Sequence, residues 1–179
     1  VEGKGSTFFL SVLCKKAAGQ VPVMQPSSEI KGARVLAVDD NKNCLIQLCS
    51  ILDDWKCISG KATHAEAALS ILKESAREGK PFHVVLIDAQ MTGMDGLSLG
   101  HRIEEKMELD PPQRILMAPL GQRFDPRCLK ENGFFHVINK PVRREQLHEC
   151  LVRAISKPDS HSSHRLTKPL PSQEDEKKS

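Results

Sequence analysis

Five times along the chain a short apolar run gives way to a helical stripe, and this alternation limits the possible folds most. Arg34-Val35-Leu36-Ala37-Val38 is the first run and ends in two aspartates. Leu45, Leu48, Cys49 and Leu52 then recur at i, i+3, i+4, i+7, the spacing of a helix packed on one side. Cys57 to Ala62 predicts a weaker strand. Thr63-His64-Ala65-Glu66 has the form of a capping box, with Ala65, Ala68, Leu69 and Leu72 as the buried stripe and Gly79 as the stop. Phe82 to Ile87 is the most strand-like segment, because Val84-Val85-Leu86-Ile87 is apolar on both faces. A third helix is expected from about Leu97 to Met107, and a fourth strand at Ile115-Leu116-Met117-Ala118. Asp125-Pro126 opens a short helix as N-cap and first-turn proline. Phe135 to Ile138 predicts a fifth strand, and Leu147, Leu151, Ala154 and Ile155 mark a last helix.

Strands apolar on both faces need cover on both sides, which means a parallel sheet flanked by helices. Right-handed crossovers make that a doubly wound α/β domain. Ligands of such folds bind at the carboxyl ends of the strands, near the point where strand order reverses. Asp39 and Asp40 close the first strand, Asp88 the third and Lys140 the fifth. All four are therefore expected at one edge.

Three gathered carboxylates repel: at about 4 Å and an effective dielectric near 20, each pair costs roughly 4 kcal/mol. A cation must offset that. Hard oxygen donors with room for water suit Mg2+, and Lys140 adds a second positive charge on a flexible stem. A metal and an ammonium around one carboxylate form a site for a phosphoryl group, whose oxygens need neutralising. Crowding should also raise the pKa of at least one aspartate, so removing the charge at Asp40 is expected to stabilise the metal-free protein.

The remaining composition excludes several classes. The 179 residues suit one domain with flanks, and no apolar run approaches the roughly 20 residues of a membrane helix. Residues 1–13 do not read as a signal peptide, having two glycines, a glutamate and a lysine before a short apolar stretch. The net charge is +3, yet Arg34 to Arg153 holds 17 Lys and Arg against 17 Asp and Glu. The folded part thus lacks the basic face that nucleic acid requires. The six cysteines (14, 44, 49, 57, 128, 150) form no CxxC and no zinc-spaced cluster with histidine. They read as free thiols in a reducing cytosol, so a cytoplasmic location is expected. His161 and His164 are spaced HxxH without a third ligand, and residues 157–179, rich in Ser, Pro and charge, are expected to be disordered.

Val38-Asp39-Asp40-Asn41, Leu86-Ile87-Asp88-Ala89-Gln90-Met91-Thr92-Gly93-Met94-Asp95-Gly96 and Asn139-Lys140-Pro141-Val142 together resemble a response-regulator receiver domain over residues 33–156. The resemblance implies a flavodoxin-like five-stranded sheet of order 2-1-3-4-5 with helices on both faces. It implies Asp88 as phosphoacceptor, Asp40 as direct Mg2+ ligand, Asp39 acting mainly through water, and the Gln90 carbonyl as a further protein ligand. Lys140 would pair with the phosphoryl oxygens, next to a cis Lys140–Pro141 peptide.

Gly3-Lys4-Gly5-Ser6-Thr7-Phe8-Phe9 is similar to the last glycine box and final strand of a histidine kinase ATP-binding domain. Residues 1–14 then read as the remnant of that domain, with a predicted strand at residues 7–13, and residues 15–32 as a linker. One strand and one glycine turn do not hold a nucleotide, so no ATP binding is expected. His101, followed by Arg102 on the third helix, lacks the setting of a kinase phosphoacceptor histidine and reads as a surface or packing residue.

Three positions depart from the receiver pattern. Ala118 stands where a Thr or Ser hydroxyl is usual, Val137 replaces a Tyr or Phe, and Met91-Thr92 replaces Met-Pro. The resemblance implies a phosphorelay carrier in a hybrid histidine kinase, with the kinase core and a histidine phosphotransfer domain as partners. The departures keep open an alternative, a degenerate receiver that docks on or inhibits the kinase with little phosphorylation. No DNA-binding output domain is expected after residue 156.

Overall fold

The computed structural model describes residues 9–13, 28–106 and 111–156. Its elements are β1 (Arg34–Val38), α1 (Lys42–Asp54), β2 (Ile58–Ala62), α2 (Ala65–Arg77), β3 (Val84–Asp88), α3 (Gly96–Lys106), β4 (Gln113–Pro119), α4 (Pro126–Glu131), β5 (Phe134–Lys140) and α5 (Arg144–Ser156). The five strands pair in parallel in the order β2-β1-β3-β4-β5, the doubly wound flavodoxin-like sheet expected from the sequence.

Alternate residues of the central strands feed two cores. Val35, Ala37, Val84, Leu86, Ile115 and Met117 face one side, under Leu45, Leu48 and Leu52 of α1 and Leu147 and Leu151 of α5. Leu36, Val38, Val85, Ile87 and Leu116 face the other, under Ala68 and Leu72 of α2 and Leu99 and Ile103 of α3. All five residues of β3 are buried, which explains why its sequence lacks alternation. The edge strand β2 reads Ile-Ser-Gly-Lys-Ala and is mostly exposed or half-buried, so its signal is weak.

Some local expectations change. The capping box at Thr63 does not form: His64 occupies the N-cap position without a side-chain cap bond, and α2 starts at Ala65. Ala65, Ala68 and Leu72 of that helix are buried. Glu66 then lies in the first turn, where its charge suits the helix dipole. The turn Ser28–Ile30, expected as linker, belongs to the packed body, because Ile30 is wholly buried against the α1 and α5 core. Residues 9–13 carry no strand, and Phe9, Leu10 and Leu13 are exposed. Cys14, Met107, residues 1–8, the tail, and with it His161 and His164, lie outside the described residues. Cys44, Cys49, Cys57, Cys128 and Cys150 are all free thiols. Among the described residues no helix is long and apolar enough to cross a membrane.

Candidate functional site

The parallel sheet sends β1, β3 and β5 out at the same edge, and the chain places a charged residue at each exit. Asp39 follows β1 directly and still continues its ladder, donating its N–H to the Ala62 carbonyl at 3.2 Å. Asp40 begins the β1–α1 loop, where Asn41 caps α1 by accepting from the backbone of Asn43 and Cys44. Asp88 is the last residue of β3 and Lys140 the last of β5. The Lys140–Pro141 peptide is cis, as the resemblance implied. In this strand order the lysine must span the ends of β4 and β3 to reach β1. It does so: Lys140 Nζ lies 2.7 Å from Asp39 Oδ2 and 2.8 Å from Asp88 Oδ1.

Burial separates the three carboxylates. Asp39 is 0% exposed and Asp88 5%, whereas Asp40 is open to solvent. The Asn41 N–H donates to Asp39 Oδ1 at 2.8 Å, and the Gln90 N–H reaches Asp88 Oδ1 at 3.3 Å. Asp40 Oδ2 accepts from both the backbone N–H (2.9 Å) and the hydroxyl (2.8 Å) of Thr92. Gly96, at the start of α3, lies so close to Asp88 that a Cβ there would come within 2.3 Å of the Asp88 carbonyl oxygen. Glycine is therefore required for α3 to pack against the acceptor strand.

Titration follows the same division. Burial pushes the Asp88 carboxyl above its ordinary value, and the Lys140 ammonium beside it does not fully offset that. Burial also disfavours the Lys140 ammonium, yet its bonds to Asp39 and Asp88 outweigh burial and leave its pKa raised. The backbone and hydroxyl bonds from Thr92 hold Asp40 below the usual carboxylate value. Of these two carboxyls it is Asp88, not Asp40, whose pKa is raised, which argues against Asp40 as the strained member of the cluster.

Asp39, Asp40 and Asp88 each offer an oxygen, and these oxygens all lie within 4.8 Å of one another. Three carboxylates against one ammonium leave an excess of negative charge. The donors are hard oxygens and one of them faces water, so the set fits a hydrated Mg2+ that keeps several of its waters. Ala118 and Val137, the departures from the pattern, sit on β4 and β5 as wholly buried and half-buried strand residues. His101 is on the surface, 3.4 Å from Glu105. Thr92 is the participant that sequence reasoning undervalued. Its signal was a residue with an N–H and a hydroxyl where proline has neither.

A family model described as the response regulator receiver domain matches residues 35–152, so the chain belongs to that family, the receivers of two-component signal transduction. The chain is similar to the positive alginate biosynthesis regulatory protein of Pseudomonas aeruginosa, 30% identical over 138 residues, covering 75% of this chain and 52% of that protein. It is also similar to the autoinducer 2 sensor kinase/phosphatase LuxQ of Vibrio vulnificus, 27% identical over 154 residues, covering 83% of this chain and 17% of that kinase. It thus spans about half the length of the first relative and a small fraction of the second. The fold matches the Vibrio cholerae chemotaxis protein CheY4 with a TM-score of 0.59 at 22% identity, covering 68% of this chain and 98% of CheY4. A co-crystal structure of the Saccharomyces cerevisiae phosphotransfer protein Ypd1 with the receiver domain of Ssk1 matches at a TM-score of 0.61 and 20% identity, covering 70% and 90% of the two chains.

Proposed function

We propose that this receiver takes a phosphoryl group from a phosphohistidine onto Asp88 and passes it to a histidine phosphotransfer partner. The observation that carries this reading is Lys140 held 2.8 Å from Asp88 and 2.7 Å from Asp39, beside an exposed Asp40. Asp88 is the nucleophile: its carboxylate oxygen forms the new P–O bond as the P–N bond to the donor imidazole breaks. Lys140 holds charge at the phosphoryl oxygens, a role that suits an ammonium placed between two carboxylates. Asp39, Asp40, Asp88 and the Gln90 carbonyl would hold Mg2+, which supplies neutralisation of the phosphoryl charge when bound. Gly96 keeps α3 close to the acceptor strand, and the exposed Asp40 leaves that edge open for the incoming donor.

Its place in a hybrid histidine kinase draws support from two sensor kinases among the relatives, LuxQ and the GacS kinase of Pseudomonas protegens. The LuxQ match covers 83% of the chain, a larger share than the residues matched by the receiver family model. On the strength of the glycine-rich run Gly3-Lys4-Gly5-Ser6-Thr7-Phe8-Phe9, residues 1–14 would be the end of a kinase ATP-binding domain and residues 15–32 the connection to the receiver. The Ypd1 co-crystal offers an analogy for the phosphotransfer partner. The second reading, a docking or inhibitory module, is favoured by the buried Ala118, which brings no hydroxyl to the phosphoryl group. A relay carrier needs the acceptor and not a large output motion, so the first reading tolerates Ala118 and Val137.

The test is incubation with acetyl phosphate and Mg2+, read by intact mass. The parent should gain one phosphoryl group, and Asp88→Asn should gain none, because an amide cannot form the acyl phosphate. A parent that stays unmodified would favour the docking module. Modification that persists in Asp88→Asn would move the acceptor elsewhere.

A further inference from the structure

We propose that Thr92 is the positioning residue of the cation site, fixing the Asp40 carboxylate through two hydrogen bonds from one residue. This inference rests on the reading of Asp39, Asp40 and Asp88 as a Mg2+ site. Asp39 and Asp88 are already held by burial and by the Lys140 ammonium. Asp40 has neither restraint: it is exposed, it lies outside the strand, and it is where the cluster opens to water. Thr92, 52 residues further along the chain, supplies the restraint. Its backbone N–H and its hydroxyl both donate to Oδ2, at 2.9 and 2.8 Å, which leaves Oδ1 outside the clamp.

A carboxylate so held loses less rotamer freedom when a cation binds, which is the gain from preorganisation. The two donors orient the carboxylate without neutralising it, so its charge remains available to the metal. Hydrogen bonds behind a metal-ligating group generally account for about 10–100-fold in affinity. The clamp also ties the β3–α3 loop, which follows the nucleophile, to the β1–α1 loop that carries the ligand. Gly93, at φ +89°, turns the chain immediately after Thr92 and lets the loop continue to α3.

The residue types allow a graded test. Thr92→Ser keeps both donors, Thr92→Val keeps the shape and the N–H but lacks the hydroxyl, and Thr92→Pro lacks both. Mg2+ alone is titrated calorimetrically into the full chain and each variant, without any phosphodonor, and thermal melts in EDTA check folding. The expected order is Ser equal to the parent, Val about tenfold weaker, and Pro weaker again by up to about 100-fold overall. Should Pro fail to fold, the Val and Ser pair decides. Val binding as tightly as the parent, or more tightly, overturns the proposal, since the Thr92 bonds would then be idle or in competition with the metal. That result leaves the metal site itself standing, because the parent still binds. A parent that takes up no Mg2+ overturns the metal reading and this inference with it.

Discussion

Lys140 at one end of the sheet and Arg114 at the other are both cations drawn into the protein, and their surroundings differ. Arg114, near the start of β4, is 1% exposed. Its Nε donates to the Gly133 carbonyl at 2.9 Å, and its Nη2 pairs with Glu104 of α3. One acid meets one base there, and the charges close on each other. A Cβ at Gly133 would fall within 1.6 Å of the guanidinium, and φ at that residue is +69°, so the turn into β5 is shaped around the arginine. Lys140 instead faces two buried carboxylates with a third nearby, leaves negative charge unmatched, and keeps 26% of its side chain exposed. A buried charge balanced one to one holds a structure together. A buried charge outnumbered by its partners leaves a vacancy of charge that a ligand can fill.

The largest effect that sharpens this contrast is on stability at the Arg114 end. Removing one member of a buried ion pair typically costs 3–5 kcal/mol, and replacing it by an apolar residue of similar volume costs much less. Glu104 is 40% exposed and regains water when abandoned. Arg114→Ala should therefore lose about 3 kcal/mol in urea denaturation, with Arg114→Met much nearer the parent. Phosphoryl uptake at Asp88 should be unchanged in both, because Arg114 lies near the start of β4 whereas Asp88 and Lys140 close β3 and β5 at the opposite edge of the sheet. Equal urea midpoints for Arg114→Ala and the parent would show the pair to be idle, and altered phosphoryl uptake would join the two ends that the contrast separates.

The same contrast explains what the sequence made legible. Asp39, Asp40, Asp88 and Lys140 could be placed because strand period and right-handed crossovers bring strand ends together, whatever the side-chain detail. The central strands were readable because burial on both faces leaves an unbroken apolar run such as Val84-Val85-Leu86-Ile87. Local chemistry was less reliable. Thr63 and Glu66 have the right spacing for a capping box, yet α2 starts at Ala65 with His64 at the N-cap position, one residue past Thr63. Ile30 is a lone apolar residue among polar neighbours and gave no period, but it fills the end of the α1 and α5 core. The partnership of Arg114 with Glu104, and that of Thr92 with Asp40, depends on elements that meet only in the folded chain. Neither residue carries a pattern that announces its partner.

The smallest expected effect is the most specific to the Lys140 end, because it depends on the sign of a titration. The Asp88 carboxyl has a folded pKa above its ordinary value of 3.8, owing first to burial. The folded metal-free protein then binds more protons than the unfolded one as pH rises from that value, and its stability falls until the folded pKa is passed. Asp40 has a folded pKa below 3.8, owing first to the Thr92 backbone bond, so it contributes stability at neutral pH that is lost on acidification. The two neutralising variants should therefore move in opposite directions. In EDTA at neutral pH, Asp88→Asn should be more stable than the parent by about 1 kcal/mol, within the usual range of single substitutions, and the gap should close towards pH 4. Asp40→Asn should melt slightly below the parent by a nearly constant gap from pH 8 to pH 4, since that contribution is lost only as pH falls below 3.8. Mg2+ at ten times its dissociation constant should return about 1.4 kcal/mol to the parent and markedly less to either variant. The measurement is thermal melting of the three proteins between pH 4 and 8, with EDTA and with Mg2+. If Asp88→Asn instead melts below the parent across that range, the bond from Lys140 outweighs the burial of the carboxylate. The excess charge at this end would then be no strain at all, and the distinction from the Arg114 pair would collapse.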